Sequence, residues 1–183
     1  MNRLFELEII LLVVMLIMIT VLRFIKIRDR KYKYPDSKNS LSLISSANFF
    51  TKPLMNRSEY KLFQQVNNLL NQRFKPYGFR LFSQVSMGEF LGCENDKHFS
   101  LINSKRVDFL IIDRQGKPLI VIEYQGRGHF QENAVERDAI KKEACRQAGV
   151  NYLDIPAHYD QIYIEIIANQ LKKYLEIKNE KYN

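Results

Sequence analysis

The chain has 183 residues, enough for one ordinary domain with a small appendage. Its two cysteines, Cys93 and Cys145, lie far apart with no paired spacing, which excludes a disulfide framework or a Cys-based zinc site and suits a reducing compartment. The net charge of +8 is concentrated between Arg23 and Lys38, where seven Lys/Arg stand against Asp29 and Asp36, so charge alone is weak evidence for nucleic-acid binding by the rest.

Ile9 to Leu22 carries no charge, glycine or proline. As a helix it spans about 21 Å, short of a hydrocarbon core of roughly 30 Å. Extension from Leu4 to Ile27 reaches about 36 Å if Glu6, Glu8, Arg23 and Lys26 snorkel to the interfaces. The run has acids before it, basic residues after it and no small-residue cleavage site, unlike a signal peptide. The expectation is a single-pass anchor over residues 4–27 in the inner or plasma membrane. The flanking charge places the C-terminal domain in the cytoplasm, with Arg23–Lys38 against an anionic membrane surface. Residues 28–48 are then a basic juxtamembrane segment and linker, Ser/Asn/Pro-rich toward its end.

A domain is expected over residues 49–178. Asn56-Arg57-Ser58-Glu59 has capping-box form, and Leu62, Phe63, Val66, Leu69, Leu70 and Phe74 follow at helical spacing. Phe79–Val85 alternates as a strand. Ser86–Lys105 is a long connection with a short helix around Glu89–Leu91. Arg106–Asp113 and Pro118–Gln125 read as strands joined by a turn at Arg114–Lys117. Asn133–Ala148 reads as a helix closed by Gly149, Asn151–Ile155 as a short strand, and Gln161–Ile177 as a helix with Ile162, Ile166, Leu171, Tyr174 and Leu175 inward. The order implies an α/β domain, a mixed sheet flanked by helices.

The hairpin carries the chemistry. A turn centred on Gln115-Gly116 sets Asp108 directly opposite Glu123, on one face, with Gln125 two residues on opposite Arg106. The neighbours Val107, Phe109–Ile112 and Ile120–Ile122 are apolar, so both faces are covered. Two opposed carboxylates there repel each other and lose hydration, and Mg²⁺ or Mn²⁺ offsets both costs. The ordinary alternative pairs the acids with Arg106, Lys141 or backbone donors. Lys141 itself has the ordinary reading of a solvated helix lysine. His129, just past the strand in Gly126-Arg127-Gly128-His129, is either a general base or phosphate contact or a structural hydrogen-bonder.

At these residues the chain resembles the PD-(D/E)xK nuclease superfamily, restriction-endonuclease-like in fold. More closely, it is similar to the bacterial domain of unknown function 2726, often found behind an N-terminal membrane helix. The resemblance runs from about Phe49 to Pro156, carried by Lys52-Pro53-Leu54, Glu59, Gln84-Val85-Ser86, Asn103–Phe109, Val121–Gly126, His129 and Glu136-Arg137-Asp138. It implies that Asp108 and Glu123 ligate Mg²⁺ (or Mn²⁺), helped by a backbone carbonyl next to Glu123. Glu59 matches a first-helix glutamate that completes the metal shell; the capping box is its other reading. The chain departs from the pattern at Gln125, where the superfamily usually has lysine, and a glutamine brings neither charge nor basicity. Lys141 and His129 are the candidates to compensate.

The expected function is Mg²⁺-dependent phosphodiester hydrolysis of nucleic acid, DNA in the first instance, with Arg127, Arg106 or Lys105 on backbone phosphates. The alternative is a catalytically inactive nuclease-fold module that binds nucleic acid or a protein partner.

Overall fold

In the computed structural model, residues 11–23, 37–126 and 132–182 are described. Met1–Thr51 and Lys52–Asn183 form two compact units. In the first, residues 11–23 form helix α1, whose apolar side chains are exposed. At 1.5 Å per residue it is about 20 Å long. Among the described residues no helix is long and apolar enough to cross a membrane. The expected span over residues 4–27 is therefore corrected, together with the inner-membrane location and cytoplasmic orientation that depended on it. The uncharged run is only fourteen residues long, and residues 4–10 and 24–27, needed to lengthen it, lie outside the described residues. So does most of the basic stretch Arg23–Lys38. The expected linker contains a helix, α2 (Ser37–Ser46), in which Ser45 and Ser46 hydroxyls donate to the Leu41 and Leu43 carbonyls.

In the second unit, Asn56 caps α3 (Arg57–Arg73). Its Oδ1 accepts the Ser58 and Glu59 N–H groups, and Glu59 Oε2 accepts the Asn56 N–H at 3.0 Å. This satisfies donors that a helix start leaves unpaired. Leu62, Val66, Leu69 and Leu70 form its buried stripe. Four strands follow, β1 (Arg80–Ser86), β2 (Arg106–Ile112), β3 (Pro118–Gln125) and β4 (Asn151–Pro156), lying in that order in one sheet. A short helix, α4 (Asp96–Ser100), lies in the long connection before β2, with a single 3-10 turn at Met87–Glu89. The first three strands are antiparallel and β4 runs parallel to β3. A parallel pair needs a long crossover, supplied here through α5 (Glu132–Gln147). α6 (Gln161–Tyr182) closes the chain. The mixed sheet flanked by helices is as the order of elements implied.

Two apolar clusters sandwich the sheet. One joins α3 and α6 to Phe109, Ile111, Ile120 and Ile122. The other joins Cys145 of α5 and the 87–102 segment to Leu110 and Val121. Ile164, Ile167, Ala168 and Leu171 form the inner stripe of α6, while Ile162 is 60% exposed. The expected stripe was thus out of phase at its start, because several isoleucines crowd the first turns and the 3.6 period alone selects among them.

The β2–β3 turn differs from the expected one. Asp113 N–H donates to the Lys117 carbonyl, and Gly116, at φ +87°, donates back to Asp113 O. This is a three-residue loop with glycine in the left-handed position. A register shift between Ile111 and Ile112 follows, and from there inward Ile111 pairs with Ile120, Leu110 with Val121 and Phe109 with Ile122. The bulge restores the alignment that the anticipated turn would have set, so the expected pairing toward Asp108 is reached by another route. The buried Asp113 fastens the turn: Oδ1 accepts from Gln115 and Lys117 N–H, and Oδ2 accepts from Tyr174 of α6 at 2.7 Å. Burial alone would raise its pKa, but these hydrogen bonds and Lys178 outweigh it and hold the carboxyl below its usual range. Asp113→Ala leaves donors at a buried position without acceptors and should lower unfolding free energy by about 1–3 kcal/mol in urea titrations. An unchanged midpoint would contradict this role.

Candidate functional site

Phe109–Ile122 is the last regular β2–β3 pair, and Asp108 and Glu123 come next on their strands. Asp108 gives the ladder a side chain in place of its backbone: Oδ2 accepts the Tyr124 N–H at 2.8 Å, and Oδ1 accepts Gln84 Nε2 at 3.3 Å. Gln84 stands opposite Asp108, between the pairs Ser83–Phe109 and Val85–Val107, with φ +55°. A side chain there is uncommon and costs energy that the surroundings must hold, a feature that gathers at functional sites. Val107 and Phe109, both fully buried, join opposite clusters, so regular alternation breaks at Asp108.

Glu123 is 7% exposed, on the sheet face covered by α5. Its Oε1 lies 3.0 Å from Lys141 Nζ, a buried ion pair. Lys141 also reaches Asp138 Oδ1 at 3.1 Å. Burial raises the Glu123 pKa to about 7; Lys141 pulls it down, while Asp108 and Asp138 push it up. Burial works against the Lys141 charge as well, but Glu123 and Asp138 outweigh it and hold the ammonium above its usual value. The two directions agree: one cation answers several carboxylates, so it stays charged while the most buried acid stays partly protonated. The solvated-lysine reading of Lys141 is thereby corrected: it is 8% exposed and packed inward on the acids.

β4 adds an acid that the sequence reading overlooked. Asp154 is paired with Glu123 in parallel register. Its Oδ1 accepts Gln125 Nε2 at 3.1 Å, and Oδ2 lies 3.3 Å from Lys142 Nζ. An ionised carboxylate only accepts, so Asp154 fixes the amide of Gln125 with its nitrogen toward β4 and leaves the carbonyl oxygen to accept elsewhere. An acid within Leu153-Asp154-Ile155 was the available signal; the parallel pairing needed to read it was not. Gln84 and Asp138 are likewise part of the site, through Asp108 and Lys141 respectively. Cys145, below the acids, has its thiol pushed up to about 11 by burial and serves as packing.

Glu59 is placed elsewhere in function: its Oε1 accepts Asn56 Nδ2 at 2.7 Å and its Oε2 the Asn56 N–H, so both oxygens serve the capping box. His129, with Arg127 and Gly128, lies outside the described residues. Arg106 is exposed at the start of β2.

Among the described residues no three His, Cys, Asp or Glu converge to hold a metal ion. Asp108 and Glu123 remain the pair able to do so. They are hard oxygen donors, and Mg²⁺ needs only one or two carboxylates beside its waters. The donor set fits that ion. The elevated Glu123 pKa has a testable consequence. The carboxyl ionises near its usual 4.5 when unfolded but near 7 when folded, so the metal-free fold binds more protons in between. Stability should therefore fall as pH rises from 4.5 past 7, and added Mg²⁺ should raise the melting temperature more at pH 8 than at pH 5. A shift equal at both values would contradict this.

Comparison with known proteins finds the family described as protein of unknown function (DUF2726) matching residues 51–174. An uncharacterized protein of Haemophilus influenzae is 47% identical over 152 residues, covering 82% of this chain and 78% of the relative. Uncharacterized protein y4bI of Sinorhizobium fredii is 39% identical over 112 residues, covering 61% of this chain and 80% of the relative. No solved structure matches.

Proposed function

The chain belongs to the DUF2726 family, whose function is unknown, and from its own residues we propose that it is a divalent-cation-dependent phosphodiesterase acting on nucleic acid. The observation that carries the reading is the buried Glu123 carboxylate, set beside Asp108 and ion-paired with a buried lysine, Lys141. Asp108 and Glu123 would hold Mg²⁺ or Mn²⁺, with the backbone carbonyl next to Glu123 as a further donor. A bound ion of this kind supplies Lewis acidity and lowers the pKa of a bound water.

The side chains divide the remaining work. Gln84 and the Tyr124 N–H fix both oxygens of Asp108. Gln125, oriented by Asp154, presents a carbonyl that accepts a hydrogen bond from the attacking water. It supplies no charge, and Lys141 answers that lack: its ammonium faces the acids from α5 and is available to the charge that grows on the phosphate oxygens. This extends the resemblance to PD-(D/E)xK nucleases, with the positive charge moved from strand to helix.

A second reading, a nuclease-fold module without catalysis, is favoured by the absence of a third metal-competent acid among the described residues. Calorimetric titration of the full chain with Mn²⁺ separates the two. The phosphodiesterase reading expects binding that Asp108→Asn removes; heat of binding absent from the wild type favours the inert module.

A further inference from the structure

The exposed face of α3 is unlike the other helix surfaces in composition. Arg57, Tyr60, Lys61, Gln64 and Asn68 recur at three- and four-residue spacing and are all exposed. The helix has one carboxylate, Glu59, and both its oxygens are held by Asn56. Among the described residues neither Arg57 nor Lys61 has an ion-pair partner. Tyr60 is 49% exposed, and with Arg57, Lys61 and Gln64 it lines a trough of about 450 Å³. A second hollow of about 540 Å³ runs from Arg57 and Ser58 to Tyr124 and Gly126 at the end of β3. Tyr124 belongs to the apolar cluster on the α3 side of the sheet, so the hollow continues the trough along that side.

We infer that this face is a binding track for single-stranded nucleic acid on the α3 side of the domain, an inference that rests on the phosphodiesterase reading. Arg57 and Lys61, one helical turn apart, take the phosphates of one strand. Tyr60 stacks on a base, and Gln64 and Asn68 donate to sugar and phosphate oxygens. Cations interleaved with an exposed aromatic favour a single strand over a duplex, whose bases are already stacked on one another.

Fluorescence anisotropy with labelled single-stranded and duplex oligonucleotides tests this with the full-length protein in EDTA. Tyr60→Ala should weaken single-strand binding by about tenfold or more without changing its salt dependence. Arg57→Gln with Lys61→Gln should weaken binding and reduce the slope of log affinity against log salt by about 1.4, two single-strand phosphate contacts. All three side chains are exposed, and thermal melting checks that the variants are folded. Duplex bound as tightly as single strand, or variants that bind like the wild type, would overturn the inference, as would no binding by the folded wild type at low salt. The assay needs no cleavage. Binding with no cleavage in Mn²⁺ would retain the track and remove the enzymatic reading; cleavage with unaltered variant binding would do the reverse.

Discussion

Asp108→Asn should lower any Mg²⁺- or Mn²⁺-dependent cleavage of nucleic acid by at least about 10²–10³-fold, the scale seen when one preorganised electrostatic group is removed from a site, while the fold survives. Asparagine is nearly isosteric and keeps an oxygen for the Tyr124 N–H, so the strand junction is retained. What goes is the negative charge, and with it half of the hard-oxygen pair. Alanine would also leave Tyr124 N–H and Gln84 Nε2 without their acceptor, mixing structural damage into the result. The comparison should therefore be made on the asparagine variant, by rate of cleavage and by circular dichroism. Cleavage retained within a few-fold would remove Asp108 from the proposed role.

Lys141→Met should lower stability by about 1–2 kcal/mol at pH 8, because Glu123 loses its counter-ion and must take up a proton there. Lys141 is the ammonium paired with Glu123, at 3.0 Å. The loss should shrink at pH 5, where Glu123, with its pKa raised to about 7, is already neutral. Glu123→Gln in the same chain should restore much of the stability, since both buried charges are then gone. Activity separates from stability in this pair: both variants should be inactive, although the double variant is well folded. Urea unfolding at the two pH values gives the numbers. A single variant equally stable at both would mean that the Lys141–Glu123 pair carries little of the electrostatics assigned to it.

The legible part of this protein was local. The capping box at Asn56, the apolar alternation of β2 and β3 and the glycine after α5 each rest on residues within one or two turns of each other. Asp108 and Glu123 were found together because an antiparallel hairpin has a register that a short loop nearly dictates. The loop was misjudged by one residue, and a bulge at Ile111–Ile112 compensated. Lys141 and Asp154 were harder, since both reach the acids through a crossover connection. Nothing near Lys141 in sequence distinguishes it from its exposed neighbour Lys142, and only the packing of α5 on the sheet turns it inward. Asp154 needed the parallel pairing of β4 with β3. Glu59 shows the converse, a residue whose local motif accounted for both of its oxygens. The N-terminal run was read by extending fourteen uncharged residues to membrane length, and the described helix does not supply that length.

The most direct test is incubation of the purified full-length protein with single-stranded DNA, duplex DNA and RNA, in Mn²⁺ and in EDTA. Cleavage of at least one substrate in Mn²⁺ and of none in EDTA is the predicted result. Substrates left intact by protein that is folded and binds Mn²⁺ would contradict the assignment of Asp108 and Glu123 to phosphodiester hydrolysis.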